Sequence, residues 1–180
     1  DRPIRPAILW NDGRSQEETQ YLNEVIGKEK LARYTANIAF AGFTAPKILW
    51  MKKNEPEAFG RVAKIMLPKD FLVYKLTGVF ATDLSDASGM LLLDVKNRRW
   101  SQEMLGICGI TESMLPRLYE SYEVVGNLLP AAARPRGRTE EDKVVAGAGD
   151  NAAAAVGTGA VGDGRCNISL GTSGTVFISS

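Results

Sequence analysis

The segment VVAGAGDNAAAAVG contains the residue best suited to chemistry, Asp150. A short apolar run at 144–146 is typical of a buried strand, the glycines after it allow close approach, and the small residues that follow predict a helix. At the start of that helix, backbone amides would keep the Asp150 carboxylate ionised as a general base for a substrate hydroxyl. Asn151 beside it suits a polyhydroxylated ligand, since it both donates and accepts hydrogen bonds. The alternative is that Asp150 is only a helix N-cap.

A second candidate is the segment SLGTSGTVF, in which Gly171 and Gly174 bracket Thr172 and Ser173. Its pattern predicts a strand, a tight turn and a second strand. Such a turn directs amides and hydroxyls at one point, where they could hold phosphate oxygens. An ordinary hairpin without a ligand is the alternative. The segment is not a P-loop, because no lysine follows the glycines and the turn leads into a strand.

The third candidate is the segment LWNDGRS, in which Trp10, Asn11 and Asp12 follow a strand predicted over residues 3–9. An aromatic side chain with amide and carboxylate neighbours suits a sugar. The alternative is a simple turn with a partly buried tryptophan, in which Asp12 pairs with Arg14.

Two further polar segments have structural interpretations. Lys69 and Asp70, in LLPKDFLVYKLTG, are interpreted as a surface charge and a helix cap. Asp83, Ser85 and Asp86, in ATDLSDASGM, could hold a turn together through bonds from side chain to backbone.

The elements that would position these residues are mixed along the chain, which favours an α/β fold. We expect a capping box at Ser15 and Glu18, a helix over 70–76 closed by Gly78, and a helix capped by Ser101. Further strands are predicted at 64–68 and 90–95, and residues 130–142 are predicted to be a surface connection.

Composition excludes several classes of protein. The 180 residues are 44% hydrophobic and carry a net charge of +1, which argues against disorder and gives no reason to expect a nucleic-acid partner. The sequence contains no histidine, which excludes Ser-His-Asp catalysis and histidine metal sites. No metal ligand is predicted in this chain. Two distant cysteines predict free thiols and a cytoplasmic location. No apolar run is long enough to span a membrane. The strands predicted at both ends indicate a segment of a longer protein.

Six segments, taken in order, resemble the FGGY carbohydrate kinases: ILWNDGRS, GFTAPKILWMKKNEPEAF, LPKDFLVYKLTG, ATDLSDASGMLLLDVKNRRWS, VVAGAGDNAAAAVGTG and ISLGTSGTVF. The resemblance covers nearly the whole chain. The GDN and SLGTSG segments are shared by much of the family. NDGR, GFTAPK and SDASG point to the members that phosphorylate D-xylulose, rather than to those that phosphorylate glycerol.

The resemblance implies part of an actin-like (ribonuclease H-like) ATPase fold. Residues 1–162 would be the later part of a first, sugar-binding domain, and 163–180 the first hairpin of a second, ATP-binding domain. Asp150 would be the catalytic base, while Trp10, Asn11, Asp12 and Asn151 would bind sugar. The turn formed by Gly171, Thr172, Ser173 and Gly174 would contact the ATP phosphates.

The resemblance also implies a phosphotransferase that uses ATP and Mg²⁺, with the main magnesium ligand outside this chain. Because the family's N-terminal phosphate loop is missing, we expect the chain alone to be inactive. A homodimer is a further expectation. A related pentulose or polyol kinase, a non-catalytic sugar-binding α/β module and a purely structural role for Asp150 stay open as alternatives.

Overall fold

The computed structural model describes residues 2–171 and 174–179 of the chain. Its helical segments are α1 (Gln16–Gln20), a π-helix (Tyr21–Gly27), α2 (Lys28–Thr35), α3 (Thr44–Asn54), α4 (Pro56–Phe59), α5 (Pro68–Thr77), α6 (Leu84–Ala87), α7 (Gln102–Cys108), α8 (Pro130–Ala133), α9 (Asp150–Gly157) and 3₁₀ turns at Ser88–Met90, Glu112–Met114 and Arg134–Arg136. Its strands are β1 (Ala81–Asp83), β2 (Leu93–Asp94), β3 (Arg99–Trp100), β4 (Arg117–Tyr119), β5 (Val124–Asn127), β6 (Lys143–Val145), β7 (Cys166–Leu170) and β8 (Gly174–Ile178). The mixed α/β prediction is confirmed.

The strands of the described residues form four two-stranded pairs. β1 and β4 pair in parallel, with Thr82 opposite Leu118. The pairs β2–β3, β5–β6 and β7–β8 are antiparallel. The parallel pair brings the carboxyl end of β1, at Asp83, beside that of β4, at Tyr119. The chain that follows each of these two ends contributes to the candidate site.

Two of the predicted helices are present. The helix predicted over 70–76 is α5, but it begins earlier, at Pro68, which was expected to end a strand. Its N-cap is Leu67, so the interpretation of Asp70 as the cap is wrong; Asp70 is the third helical residue, and its carboxylate accepts a hydrogen bond from the Leu67 amide at 3.0 Å. α5 ends at Gly78, whose φ of +76° is a left-handed conformation that glycine adopts without strain. Before α7, the Ser101 hydroxyl accepts from the Met104 amide at 3.3 Å, as expected of an N-cap.

Several local predictions are wrong. Residues 3–9 and 64–68 form no strand, and the strand predicted at 90–95 is reduced to β2. Within that segment Leu91 is fully buried with a φ of 59°, a left-handed conformation that interrupts an extended run. The Ser15 hydroxyl donates to the Ala41 carbonyl at 3.1 Å and does not cap α1, because a tertiary partner takes the place of the local one. The predicted connection at 130–142 contains α8, with Ala132 and Ala133 buried.

Two clusters of buried apolar side chains stabilise the described part of the chain. The larger contains residues of the π-helix, α2, α3, α7 and the segment 90–93. The smaller consists of Val73 of α5, Ala81 of β1, Val125 of β5 and Ala146 after β6. Ala146 is only 1% exposed, so the chain is anchored in this second cluster four residues before Asp150.

The predicted hairpin is present as β7 and β8, which pair from Cys166 opposite Ile178 to Leu170 opposite Gly174. Both strands pack against α9. Ile168 and Val176 face each other across the hairpin and are 59% and 63% exposed. Within the part of the chain that the structure describes, no helix is both long and apolar enough to cross a membrane.

Candidate functional site

Asp150 is the first residue of α9 and carries an exposed side chain. The N-cap of α9 is Gly149, and Asp150 is the next residue. The alternative that Asp150 is only the N-cap is therefore wrong. One carboxylate oxygen, Oδ1, accepts from the Asn151 amide at 2.8 Å. The carboxylate is therefore presented to solvent at the N-terminus of α9.

The backbone of the loop before Asp150, residues 146–149, makes two hydrogen bonds to other backbone groups and two to side chains. The Ala146 and Gly147 amides donate to the carbonyls of Glu123 and Ser121, at 3.0 and 3.1 Å. The Ala146 carbonyl accepts from Lys69 Nζ at 3.2 Å, and the Gly149 amide donates to Ser85 Oγ at 3.0 Å. The two latter contacts come from segments far away in sequence, so the position of Asp150 depends on tertiary structure.

Of the two glycines in this loop, Gly147 is the one that the backbone and the packing require. It has a φ of +83°, and an added Cβ atom would lie 3.2 Å from Lys69 Cδ. At Gly149 an added Cβ atom would lie 3.4 Å from the Cα atom of Asp86, so the chain there is in van der Waals contact with α6.

Beneath the loop is a group of charges that we call the Lys69 cluster: Lys69, Asp70, Asp83 and Asp86. Lys69 Nζ lies 2.9 Å from Asp70 Oδ1, 3.0 Å from Asp83 Oδ1 and 3.9 Å from Asp86 Oδ2. The side chains of Asp70 and Asp83 are fully buried and that of Lys69 is 21% exposed. The interpretation of Lys69 as a surface charge is wrong, because two buried carboxylates need a cation within hydrogen-bond distance.

Asp83 connects the cluster to the segment predicted to form a side-chain-supported turn. Its Oδ2 accepts from the Ser85 and Asp86 amides at 2.9 and 3.4 Å, from the Ser85 hydroxyl in a short bond, and from Ser121 Oγ at 2.9 Å. The prediction that these side chains hold a turn together is confirmed. Asp83 is the N-cap of α6, and this places Ser85 directly under Gly149.

Burial and neighbouring charges shift the protonation equilibria of the cluster in different directions. Burial disfavours the charged form of Asp83, but hydrogen bonds from Ser85, Lys69 and Ser121 outweigh it and lower its pKa. Burial also disfavours the charged form of Lys69, but its hydrogen bonds to Asp70 and Asp83 have the larger combined effect and raise the pKa of Lys69. Burial raises the pKa of Asp86 to about 6, to which the negative charges of Asp70, Asp83 and Asp150 contribute. Asp86 is thus electrostatically coupled to Asp150.

The cluster does not provide a metal site. Among the described residues, no group of three or more acidic, cysteine or histidine side chains could hold a metal ion. The three aspartates instead surround the Lys69 ammonium, which supplies the positive charge that a cation would otherwise bring. The expectation that the main magnesium ligand lies outside this chain stays a prediction.

The predicted sugar-binding loop at residues 10–12 is fixed by two cations. Arg14 donates through Nε and a terminal nitrogen to Asp12 at 2.9 and 2.7 Å, and this side-chain bond lowers the pKa of Asp12 to about 2. Lys47 Nζ donates to the carbonyls of Leu9 and Gly42 at 2.8 and 2.7 Å. The pairing of Asp12 with Arg14, left open as the alternative, is confirmed.

Trp10 and Asn11 project from this loop as exposed side chains, with Trp10 62% exposed. They are available to a ligand, whereas the Asp12 carboxylate already has a bidentate partner. Among the described residues, no hydrogen bond or ion pair joins residues 10–12 to Asp150 or Asn151. Their assignment to one sugar site stays a prediction.

The predicted phosphate turn lies between β7 and β8. Gly171 follows β7, and Gly174 is the first residue of β8. Thr172 and Ser173 lie outside the described residues, and their contact with phosphate stays a prediction. Both strands pack against α9, the helix that begins with Asp150.

The sequence indicated the segments that carry Asp150, Lys69 and Asp83, but it indicated neither the segment of Ser121 and Glu123 nor the contacts that join these segments. Lys69 and Ser85 reach the loop before Asp150 across 77 and 64 positions. The available signal was the combination of a lysine and four carboxyl or hydroxyl residues, Asp70, Asp83, Ser85 and Asp86, in two segments rich in turn residues.

Comparison with known proteins places these features in a family context. A model of the FGGY family of carbohydrate kinases, N-terminal domain, matches residues 1–157. The xylulose kinase of Escherichia coli K12 is 47% identical over 176 residues, which are 98% of this chain and 36% of that protein. The xylulose kinase of Lactococcus lactis is also 47% identical, over 98% of this chain and 35% of its own length. The chain therefore spans about a third of the length of these relatives.

Solved structures also match nearly the whole chain. A crystal structure of a "xyloylose kinase" from Brucella ovis superposes with a TM-score of 0.92 at 44% identity, over 99% of this chain and 36% of that one. A ligand-bound xylulose kinase from Lactobacillus acidophilus superposes with a TM-score of 0.89 at 25% identity, over 98% of this chain and 36% of that one.

Proposed function

The chain belongs to the FGGY family of carbohydrate kinases, and from this premise we propose that it is part of an ATP-dependent kinase that converts D-xylulose to D-xylulose 5-phosphate. The prediction of a partial actin-like domain is confirmed by the sugar kinases of that fold on which the chain superposes. The substrate proposal is supported by the xylulose kinases that match nearly the whole chain. The observation that carries the chemistry is the exposed Asp150 carboxylate on a loop anchored to the Lys69 cluster.

In this proposal Asp150 orients the terminal hydroxyl of the sugar and accepts its proton as the oxygen attacks the γ-phosphorus of ATP. Phosphoryl transfer needs little covalent assistance beyond this, because its rate depends on positioning and on neutralising charge. The side-chain amide of Asn151 is proposed to bind a sugar hydroxyl. Trp10, Asn11 and Asp12 are proposed to contact the ligand from a second side. A carboxylate fixed at a helix start is suited to this task, since it loses little freedom when the substrate binds.

ATP and Mg²⁺ are proposed as the phosphoryl donor and its metal. The space beside Gly174 is open among the described residues, since an added Cβ atom would meet only Leu170 Cδ2, at 4.0 Å, and this leaves room for a phosphate. Gly171, Thr172, Ser173 and Gly174 would then hold the phosphates through backbone amides and hydroxyls. Mg²⁺ supplies positive charge to the phosphates when bound, and its main protein ligand is proposed to lie outside this chain.

The proposed division of the chain follows the family architecture. Residues 1–162 would form the later part of the sugar-binding domain, and 163–180 the first hairpin of the ATP-binding domain. The exposed apolar side chains of β7 and β8 support this division, because a hairpin with an uncovered apolar face needs further strands or a packing partner. The 180-residue chain, at about a third of its relatives' length, is proposed to be inactive alone. A cytoplasmic location and a homodimer stay predictions.

The proposal is tested by Asp150→Asn in a full-length kinase that contains this chain. Asparagine keeps the Oδ1 acceptor for the Asn151 amide, so the free energy of unfolding should change by no more than about 1 kcal/mol through the helix dipole. Loss of the proton acceptor should lower kcat for D-xylulose by about 10²- to 10⁴-fold. Phosphorylation of D-xylulose, D-ribulose and glycerol by the wild type, each at saturating ATP, identifies the substrate.

Asp163→Asn is the matched control, since Asp163 is another exposed aspartate and lies in the segment before the hairpin. It should retain the wild-type kcat. If Asp150→Asn also retains the wild-type kcat with an unchanged melting temperature, Asp150 is not the base. If the wild type binds D-xylulose in calorimetry but transfers no phosphate, the chain comes from a sugar-binding protein and the kinase proposal is wrong.

A further inference from the structure

The loop that presents Asp150 is held from below by two side chains. Lys69, in α5, donates from Nζ to the Ala146 carbonyl at 3.2 Å, at the beginning of the loop. Ser85, in α6, accepts from the Gly149 amide at 3.0 Å, at its end. Because Gly149 directly precedes Asp150, the Ser85 contact fixes the chain one peptide unit before the proposed base.

Both anchors are fixed in turn by one buried carboxylate. Asp83 Oδ1 lies 3.0 Å from Lys69 Nζ, and Asp83 Oδ2 accepts the Ser85 hydroxyl. The side chain of Asp83 is fully buried, and its Oδ2 also accepts from Ser121 Oγ at 2.9 Å. With its proton committed to Asp83, the Ser85 hydroxyl directs a lone pair at the Gly149 amide. A buried carboxylate with this many donors on Oδ2 and a cation beside Oδ1 has little freedom to move.

The loop is tightly packed on the Lys69 side. A Cβ atom at Gly147 would come within 3.2 Å of Lys69 Cδ, whereas one at Gly149 would lie at an ordinary contact distance, 3.6 Å, from Asp86 Oδ1. Displacement of Lys69 is therefore expected to shift the loop at Gly147, and loss of the Ser85 hydroxyl removes the hydrogen bond to the Gly149 amide. Lengthening the path from Asp150 to its substrate by about 1 Å can cost about 10²-fold in rate.

We infer that Lys69 and Ser85 are positioning residues, which fix the 146–149 loop on Asp83 and so hold the Asp150 carboxylate in the geometry that phosphoryl transfer needs. This inference rests on the proposed function, because it assumes that Asp150 is the base. Neither residue is assigned a direct contact with the substrate. The Asp150 carboxylate would then already be in its reactive position before the sugar binds, which favours a high kcat.

Ser85 provides the sharper test, because its hydroxyl can be removed without exposing a buried charge. In Ser85→Ala, Asp83 Oδ2 keeps the amide donors of residues 85 and 86 and the Ser121 hydroxyl. Ser88→Ala is the matched control: Ser88 is in the next helical turn, and its hydroxyl donates to the Ser85 carbonyl at 2.6 Å, away from the loop. Ser85→Thr keeps a hydroxyl on the same atom position and serves as the conservative variant.

These variants are measured in the full-length kinase with D-xylulose and ATP. We expect Ser85→Ala to lower kcat by about 10- to 100-fold with KM for ATP within about twofold of wild type. Ser85→Thr should recover most of the lost kcat, and Ser88→Ala should resemble the wild type. A folded Ser85→Ala enzyme with wild-type kcat would overturn the inference.

A double-mutant cycle separates positioning from a general structural role. If Ser85 acts through Asp150, Ser85→Ala should change kcat by less than about twofold once Asp150→Asn is already present. An equal fold-loss in the two backgrounds would refute the positioning role. Hydrogen exchange gives a second readout that does not need a stable variant: in the wild type, the Gly149 amide should exchange slowly. Exchange at the rate of an unstructured peptide would also contradict the inference.

The outcomes distinguish this inference from the proposed function. If the wild type phosphorylates another sugar or polyol instead of D-xylulose, the substrate proposal is wrong, and the same variants are compared on that substrate. If the wild type phosphorylates D-xylulose and the Ser85 variants behave as the wild type does, only the positioning inference is wrong. A full-length protein without kinase activity on any of these substrates would overturn both.

Discussion

Replacing Gly147 by alanine tests how tightly the loop before Asp150 lies on the Lys69 cluster. Gly147 has a φ of +83°, so an L-residue there is strained by about 1–2 kcal/mol. The new Cβ atom would also lie 3.2 Å from Lys69 Cδ. Lys69 cannot swing aside freely, because its Nζ is held 2.9 Å from Asp70 and 3.0 Å from Asp83.

The magnitude follows from adding a steric cost to the backbone strain. Forcing an extra methyl group against a fixed neighbour costs about 1–3 kcal/mol. Gly147→Ala should therefore lower the free energy of unfolding by about 2–5 kcal/mol. Gly159→Ala is the matched control, because Gly159 has a φ of +69° and an added Cβ atom would meet nothing within 4 Å. It should cost only the strain, about 1–2 kcal/mol.

Thermal unfolding of the 180-residue chain, followed by circular dichroism, measures the difference. For a chain of this size 1 kcal/mol corresponds to about 2–4 °C, so Gly147→Ala should melt about 2–12 °C below Gly159→Ala. The same substitution in the full-length kinase should lower kcat as well, since Lys69 and the loop are displaced together. Equal melting temperatures for the two variants would show that Lys69 does not confine the loop.

Two further results are expected. Burial and nearby negative charge raise the pKa of Asp86 to about 6 from an ordinary value of 3.8, so its ionisation destabilises the folded state as pH rises through about 6. Asp86→Asn should therefore raise the free energy of unfolding by about 1–3 kcal/mol at pH 7.5 and by progressively less towards pH 4. A gain in stability that does not depend on pH would contradict this reasoning. Cys108 is buried and Cys166 is exposed, and burial raises the pKa of the Cys108 thiol to about 12. A thiol reagent at pH 8 should therefore label only Cys166 in the native chain, and both cysteines in denaturant. Rapid labelling of Cys108 in the native chain would contradict this prediction and show that its site opens.

The sequence correctly predicted elements whose signals are local. Gly78 closes α5 through a backbone angle that glycine adopts by itself, and Ser101 caps α7 with a partner three residues away. The β7–β8 hairpin follows from its turn residues and from two adjacent extended segments. Asp150 was likewise placed at a helix start by its own neighbours in the chain.

Predictions failed where an element depended on a distant partner. Residues 64–68 have the composition of a strand, yet the Ile65 amide bonds the Met114 carbonyl and no ladder follows. Ser15 was predicted to cap its own helix, but its hydroxyl donates to the Ala41 carbonyl. A strand or cap requires a partner in space, and composition alone does not specify which partner is nearest.

The sequence by itself thus determined which residues could do chemistry and that Asp150 would begin a helix after a glycine loop. Only the tertiary structure decided what holds that loop in place. The parallel pairing of β1 with β4, and the packing of α5 beside β1, bring Lys69 and Asp83 beneath Ala146 and Gly149. The physical reason is that an isolated lysine or aspartate is most stable in water, so local sequence predicts exposure. Burial becomes favourable only when the fold brings opposite charges and hydrogen-bond donors together, which is a property of the assembled chain.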